Sequence, residues 1–298
     1  MKSVGFIGIG AMGKGMIKNL LQKGFHVCVY DVNAASMAWA VEIGAEAKSS
    51  PREIGESAHV VMTSLPGPDV VEEVIAGKDG VLFTLPRHSY IIDTSTIGPE
   101  TARNLYSKTK EKEIHFFDCP VSGGPMGADK GNLTVMVGGD KDRLPNVRQY
   151  LEAIGTEIIY MGESGAGQVA KLCHNAVVAA IIATLGEVFV TGTKAGVDPR
   201  KLAKVIDKGS AHNQVLAVFG DNILSSSYDN IKFRLDHMHK DISLYVDTAR
   251  KYAASALIGA MIHQLYESAK LHGKGGLDSS AVCQVIEWLS NAQSIERG

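Results

Sequence analysis

The sequence predicts a doubly wound α/β domain with a mainly parallel sheet, followed by an all-helical (all-α) domain. Three observations carry this. Short β-branched runs alternate with helical patterns as far as residue 162, no strand pattern follows, and a glycine-rich turn joins the first strand to the first helix. At 298 residues the chain also exceeds the usual size of a single hydrophobic core, so two domains are expected from length alone.

Strands are read at 3–8 (SVGFIG), 26–31 (HVCVYD), 59–65 (HVVMTSL), 90–95 (YIIDTS), 115–121 (HFFDCPV), 133–139 (LTVMVGG) and 157–162 (EIIYMG). Amphipathic helices fit between most of them, for example 11–23 and 99–111. Apolar strands buried on both faces and joined by helices make a parallel sheet. Long helices are missing between some of the last strands, so the far edge is expected to be mixed. After Gly162 the helical periods run over 166–195, 199–208, 213–225, 236–252, 255–272 and 278–290. Asp198 and Asp278 read as N-caps, with Pro199 at the first helical position of its helix. The expected division is 1–163 for the sheet domain and 164–298 for the helical one, which opens with a long helix.

Composition is that of an ordinary globular protein: 45% apolar, 21% charged and a net charge of −2. With no basic surplus, neither nucleic acid nor an anionic membrane is expected as a partner. The four cysteines, Cys28, Cys119, Cys173 and Cys283, are far apart, and the first three sit in apolar runs. Reduced, buried thiols are therefore expected. No secretory pattern is visible, and the apolar run 176–183 is short and alanine-rich, so the expected location is cytoplasmic.

The stretch GFIGIGAMGKGMIKNLL contains Gly8, Gly10 and Gly13 as G-x-G-x-x-G, with Ala11 and Met12 as the two intervening residues. Alone that pattern is weak, but here a strand enters it and a helix leaves it. Gly8 permits the tight turn, Gly10 lets the backbone approach a pyrophosphate, and Gly13 allows close helix–sheet packing. Asp31 ends the second strand, where an acid can bind an adenine-ribose diol. It would repel a 2′-phosphate, and DVNAAS offers no Arg or Lys to receive one, so NAD is favoured over NADP.

Loops after the carboxyl ends of parallel strands form the ligand crevice of such sheets. Leu65 and Pro66 are placed there on the adenine or ribose side, and Thr96 toward the nicotinamide ribose. The competing reading is that Ser95 or Thr96 merely caps the helix at 99. Ser122, Gly123 and Gly124 directly follow a strand, where a hydroxyl and two glycine amides can make a small anion nest suited to a carboxylate, or a plain turn.

Four motifs occur in order: G-x-G-x-M-G-x-x-M-x-x-N-L at 8–20, D-x-P-V-S-G-G at 118–124, G-x-x-x-K-x-x-x-N at 167–175 and K-D at 240–241. Together they resemble the β-hydroxyacid dehydrogenase family, whose best-known member is 3-hydroxyisobutyrate dehydrogenase, across nearly the whole chain. The resemblance implies a Rossmann-type N-terminal domain and a helical C-terminal domain that forms homo-oligomers, dimers or tetramers. It implies Lys171 as catalytic acid/base, Asn175 as a substrate-positioning residue, Ser122, Gly123 and Gly124 as the grip on the carboxylate of a small substrate, and Lys240 beside cofactor and substrate.

Oxidising an alcohol by hydride transfer requires removal of its proton, and a lysine serves when burial and nearby positive charge disfavour its charged form. Asn175, four residues on, shares a helical face with Lys171. A reductase of a small aldehyde acid, such as tartronate or succinate semialdehyde, is the alternative in the same family, and a non-catalytic dinucleotide-binding protein is the alternative outside it. Imine reductases share the fold but usually replace the lysine. Two stretches depart from the 3-hydroxyisobutyrate dehydrogenase pattern: His174 stands where an asparagine is common, and GSAHNQ at 209–214 brings His212 and Asn213. His237 and His239, two apart on a helix, face different ways with no further ligands in view, so no metal is expected.

Overall fold

The computed structural model describes residues 3–292. Contacts group the chain into two compact units, Met1–Lys171 and Leu172–Gly298. The first contains β1 (Ser3–Ile7), α1 (Ala11–Gln22), β2 (His26–Tyr30), α2 (Ala34–Glu42), β3 (Glu46–Ala47), α3 (Pro51–Ser57), β4 (Val60–Thr63) and α4 (Pro68–Ala76). It continues with β5 (Tyr90–Asp93), α5 (Pro99–Glu111), β6 (His115–Asp118), β7 (Val121–Ser122), α6 (Gly124–Lys130), β8 (Leu133–Gly138), α7 (Leu144–Ile154) and β9 (Gly155–Gly162).

The sheet order is β3-β2-β1-β4-β5-β6-β8-β7, with β9 on β8. Pairings from β3 through β6 are parallel. As expected the far edge is mixed: β8 is antiparallel to β6 and β7 and parallel to β9. The two-residue strand β3 was too short to read from the sequence. Side chains alternate between two buried layers. Val4 and Phe6 of β1 pack with Met16, Ile17 and Leu20 of α1, while Ile7 packs with Ile54 of α3 and Val61 of β4. Chain order reverses at β1, with β2 on one side and β4 on the other, which places a crevice at their carboxyl ends.

Local chemistry sets the helix starts. Asn33 and Ser50 accept amide hydrogen bonds from Ser36 and Glu53, and prolines occupy the first turns of α3, α4 and α5. The anticipated cap of α5 by Ser95 or Thr96 does not form. Gly98 is the N-cap and no side chain caps the helix.

α8 (Ala166–Lys194) is one 29-residue helix, and the boundary between the compact units falls within it, eight residues beyond the expected 163/164 division. By length and composition it could cross a membrane, which the short run 176–183 did not suggest. Its buried polar residues Gln168, Lys171 and Asn175 mark it instead as a core helix. The second unit adds α9 (Pro199–Lys208), α10 (Gln214–Leu224), α11 (Leu235–Lys251), α12 (Leu257–Ala269) and α13 (Cys283–Leu289). Its core draws Ile182, Leu185 and Phe189 of α8 together with Phe219, Met238, Ile242 and Tyr266. Asp198 caps α9 as expected, and Asp278 caps a short 3₁₀ turn, Ser279–Val282, that leads into α13.

All four cysteines are free thiols. Cys173 corrects the sequence expectation. It is exposed, because a long helix turns one face outward even within an apolar run.

Candidate active site

The glycine turn is forced by space. Gly8 has φ +100°, and a Cβ on it would stand 2.2 Å from the carbonyl oxygen of Ser64. A Cβ on Gly13 would stand 2.0 Å from the carbonyl oxygen of Gly8, so the turn folds onto the helix behind it. Gly10 differs: nothing lies within 4 Å of its Cβ direction. It is the N-cap of α1, no side chain caps that helix, and no acid sits in its first turn. Unoccupied amides, a helix dipole and open space above Gly10 are the donor set a dinucleotide diphosphate requires. Ala11 and Met12 form the first turn of this helix.

Asp31 is tied into the same loop. Its Oδ2 accepts from the amide of Ile9 at 2.5 Å and its Oδ1 from that of Asn33 at 2.7 Å. The next two loops are joined as well. The Leu65 amide donates to Ser95 Oγ at 2.8 Å, beside half-buried Thr96 and exposed Pro66. Gly8, Gly10, Ala11, Met12, Gly13, Asp31, Leu65, Pro66 and Thr96 thus all stand at the carboxyl ends of β1, β2, β4 and β5.

Ser122 ends β7, and the chain then turns through Gly123 (φ +130°) and Gly124 (φ +64°) into α6. This turn is fastened to the glycine loop through the helices behind each. Asn19 Nδ2 donates to the carbonyls of Gly15 and Ala128 at 2.7 and 2.8 Å, and a Cβ on Gly15 would stand 2.5 Å from the Ala128 backbone. Asn19 appeared in the sequence only as a letter of the 8–20 motif, and Gly15 not at all. Only their close approach to a distant helix reveals their role.

The start of α8 is held by a buried carboxylate. Asp118 Oδ1 accepts from the Gly165 amide at 2.7 Å and Oδ2 from the Gln168 amide at 3.1 Å. Burial pushes its pKa up to about 6, against the lowering effect of those amides. Gln168, fully buried, reaches the loop that carries Thr96: Nε2 donates to the Ser95 carbonyl at 2.9 Å, and Oε1 accepts from the Ile97 amide at 3.0 Å. Lys171, one turn further along, is only 8% exposed.

Asn175 lies on the same helix, four residues beyond Lys171, and is buried. Its Nδ2 donates to Asp241 Oδ2 at 2.6 Å, and its Oδ1 stands 2.9 Å from His174 Nδ1. A carboxylate accepts only, so Asp241 fixes which end of the Asn175 amide faces it, and His174 as the Nδ1–H tautomer completes the pairing. Lys240 Nζ lies 3.1 Å from Asp241 Oδ1, an ion-pair distance without hydrogen-bond angles. Asp241 therefore links two predicted site residues, Asn175 and Lys240. The sequence offered it only as the second letter of K-D. His212 and Asn213 take structural parts: Asn213 caps α10, and His212 Nδ1 sits 3.0 Å from the Asp207 carbonyl.

A parallel sheet whose reversal point carries an uncapped, glycine-opened helix and an acid at the end of β2 defines a dinucleotide-binding oxidoreductase domain. Residues 3–162 match the family described as the NAD binding domain of 6-phosphogluconate dehydrogenase. Residues 165–286 match that described as the NAD-binding domain of NADP-dependent 3-hydroxyisobutyrate dehydrogenase. The chain belongs to the β-hydroxyacid dehydrogenase family, NAD-binding oxidoreductases that act on small hydroxy acids. A probable mitochondrial 3-hydroxyisobutyrate dehydrogenase of Dictyostelium discoideum is 37% identical, over 94% of this chain and 89% of that protein. An NAD-dependent L-serine dehydrogenase of Pseudomonas aeruginosa is 33% identical, over 96% and 98%. The solved 3-hydroxyisobutyrate dehydrogenase of Mycobacterium tuberculosis with L-serine superposes with a TM-score of 0.86 at 29% identity, covering 96% and 99% of the two chains.

Proposed function

We propose that this protein oxidises a small β-hydroxy acid of the 3-hydroxyisobutyrate or L-serine type, using NAD in preference to NADP. The observation that carries the reading is Lys171, an amine buried on the same helix as a buried, clamped Asn175. Gly8, Gly10, Ala11, Met12 and Gly13 hold the cofactor diphosphate, Asp31 the adenine ribose, and Leu65, Pro66 and Thr96 the walls of that crevice. Bound NAD supplies the hydride acceptor.

The chain's own groups do the rest. Ser122 Oγ and the amides of Gly123 and Gly124 bind the substrate carboxylate. Asn175 orients the hydroxyl, and Lys171 Nζ takes its proton as the hydride leaves the carbinol carbon. In reduction the ammonium returns that proton to the forming alkoxide. Asp241 keeps Asn175 and Lys240 in place and touches no reacting atom. Asp31 disfavours NADP because its carboxylate would face a 2′-phosphate with no nearby cation in the 32–36 segment. A cytoplasmic location and a homo-oligomer built through the helical unit complete the proposal. Exposed Leu257, Ile258 and Met261 on α12 supply apolar surface for the latter.

The test is NADH formation with 3-hydroxyisobutyrate, L-serine, glycerate and 4-hydroxybutyrate, repeated with NADP. Lys171→Ala should lower kcat by at least about a thousandfold while NADH still binds, in line with loss of a general base and its positioning. A variant that keeps wild-type turnover would remove the mechanism, and a clear NADP preference would remove the part given to Asp31.

A further inference from the structure

Among the described residues, two clusters of metal-ligating side chains lie apart from the site described above, and one of them is built across two helices. α11 and α12 pack together, and His239 of α11 meets His263 and Glu267 of α12. The last two are four residues apart, one turn along a single helix face. One ligand atom from each of the three lies within 4.8 Å of the others. The imidazoles of His239 and His263 stack with centroids 5.0 Å apart. His239 Nε2 contacts Glu267 Oε2 as an ion pair. That ion pair occupies His239 Nε2, whereas His263 Nε2 is buried without a hydrogen-bond or ion-pair partner.

Buried polar atoms normally find partners, so a His263 nitrogen left without one, beside a second imidazole and a carboxylate, calls for an occupant that all three can share. Their chemistry is that of a two-histidine, one-carboxylate set, which suits a borderline divalent transition metal rather than Mg²⁺ or Ca²⁺. Tetrahedral Zn²⁺ with bonds of about 2.0–2.1 Å needs donor atoms roughly 3.4 Å apart, a closing within reach of small side-chain rotations. The Glu267 side chain is 36% exposed and that of His239 12%, so the site opens to solvent on the carboxylate side.

A second trio, His26, Cys28 and Glu46 on β2 and β3, also brings its ligand atoms within 4.8 Å of one another. It is the weaker candidate because Lys48 Nζ already holds Glu46 at 2.7 Å and burial pushes the Cys28 thiol up, away from the thiolate a metal needs. His237, the histidine noticed beside His239, packs its ring edge-on to Phe233 and takes no part.

We propose that His239, His263 and Glu267 form a divalent transition-metal site that staples α11 to α12, with Zn²⁺ as the probe. Exposed Lys270 adds positive charge beside His239 and moderates the affinity. The experiment titrates Zn²⁺ into the tag-free, chelator-stripped full-length protein by calorimetry, with Co²⁺ absorption as a second readout. One Zn²⁺ per chain at micromolar Kd is expected, with visible Co²⁺ bands and a Tm raised by several degrees at saturating metal. His263→Gln and Glu267→Gln should each weaken binding at least about tenfold, His26→Gln should not, and Lys270→Gln should tighten it. Should His263→Gln fail to fold, the rim substitution Glu267→Gln decides alone. Absence of binding at millimolar Zn²⁺ overturns the proposal. So does binding that survives Glu267→Gln, or that is lost in His26→Gln, which would move the metal to the sheet edge.

Discussion

Two helix starts in the N-terminal unit solve the same electrostatic problem in opposite ways. α1 begins with free amides, no capping side chain and open space above Gly10. α8 begins with its amides taken by the carboxylate of Asp118, carried in from the end of β6. Both ends carry the partial positive charge of a helix N-terminus. Where the protein supplies the anion, the end becomes an anchor. Where it withholds one, the end becomes a receptor for an anion from outside. The contrast explains why similar chemistry serves architecture at one end and cofactor binding at the other.

The largest effect is expected at the anchor. Asp118→Ala deprives two buried amides of their acceptor, at roughly 1–3 kcal/mol each, so urea unfolding should show a loss of about 3 kcal/mol. A loss within measurement error would mean that α8 does not depend on this carboxylate. The less drastic Asp118→Asn sharpens the point through pH. The folded pKa of about 6 lies above the ordinary value of 3.8, so the folded state binds the proton more tightly. That contribution to stability is complete below about pH 4 and is lost as pH rises through about 6, an amplitude of about 3 kcal/mol at 1.36 kcal/mol per unit. The difference between wild type and Asp118→Asn should show this fall between those pH values and stay flat above. A difference that does not change with pH would deny the raised pKa.

At the receptor the effects divide. Gly13→Ala should cost about 1–3 kcal/mol by overpacking against the Gly8 carbonyl and weaken NADH binding as well. Gly10→Ala should leave stability within about 1 kcal/mol, since its methyl meets nothing, while NADH affinity falls several-fold or more. Fluorescence titration with NADH separates the two, and full affinity in Gly10→Ala would show that no phosphate approaches there. Smaller again is Gln168→Ala. Losing its two bonds to the 95–97 loop should cost about 1–2 kcal/mol and raise KM for NAD more than it lowers kcat. The mildest is His174→Ala, for which a loss of about 1 kcal/mol or less and a modest fall in kcat are expected, with Asp241 still holding the amide.

Much of this was legible along the chain because it rests on periodicity and local steric need. The strands, the G-x-G-x-x-G turn, Asp31 and the long helix bearing Lys171 and Asn175 all declare themselves within about thirty residues of sequence. Asp118, Gln168, Asn19 and Asp241 did not, although each lies in or beside a recognisable motif. Their partners are 47 to 109 residues away, and a buried Asp or Gln reads in sequence like an exposed one. His239 likewise looked solitary until α12 brought His263 and Glu267 beside it. The exposure of Cys173 and the caps formed by Gly98 and Asn213 were settled by which face each segment turned inward.

The sequence by itself determined the alternation of the main strands with helices, the open glycine turn and the presence of a lysine within an apolar helix, since these follow from backbone sterics and hydrophobic period. It did not show the two-residue β3 or the break of 115–121 into β6 and β7. Only the tertiary structure decided which carboxylate closes the start of α8, which residue clamps Asn175, and which histidines meet. Those are questions of pairing between distant polar groups. Burial makes an unpaired polar group costly, and only the folded chain brings each of them its partner.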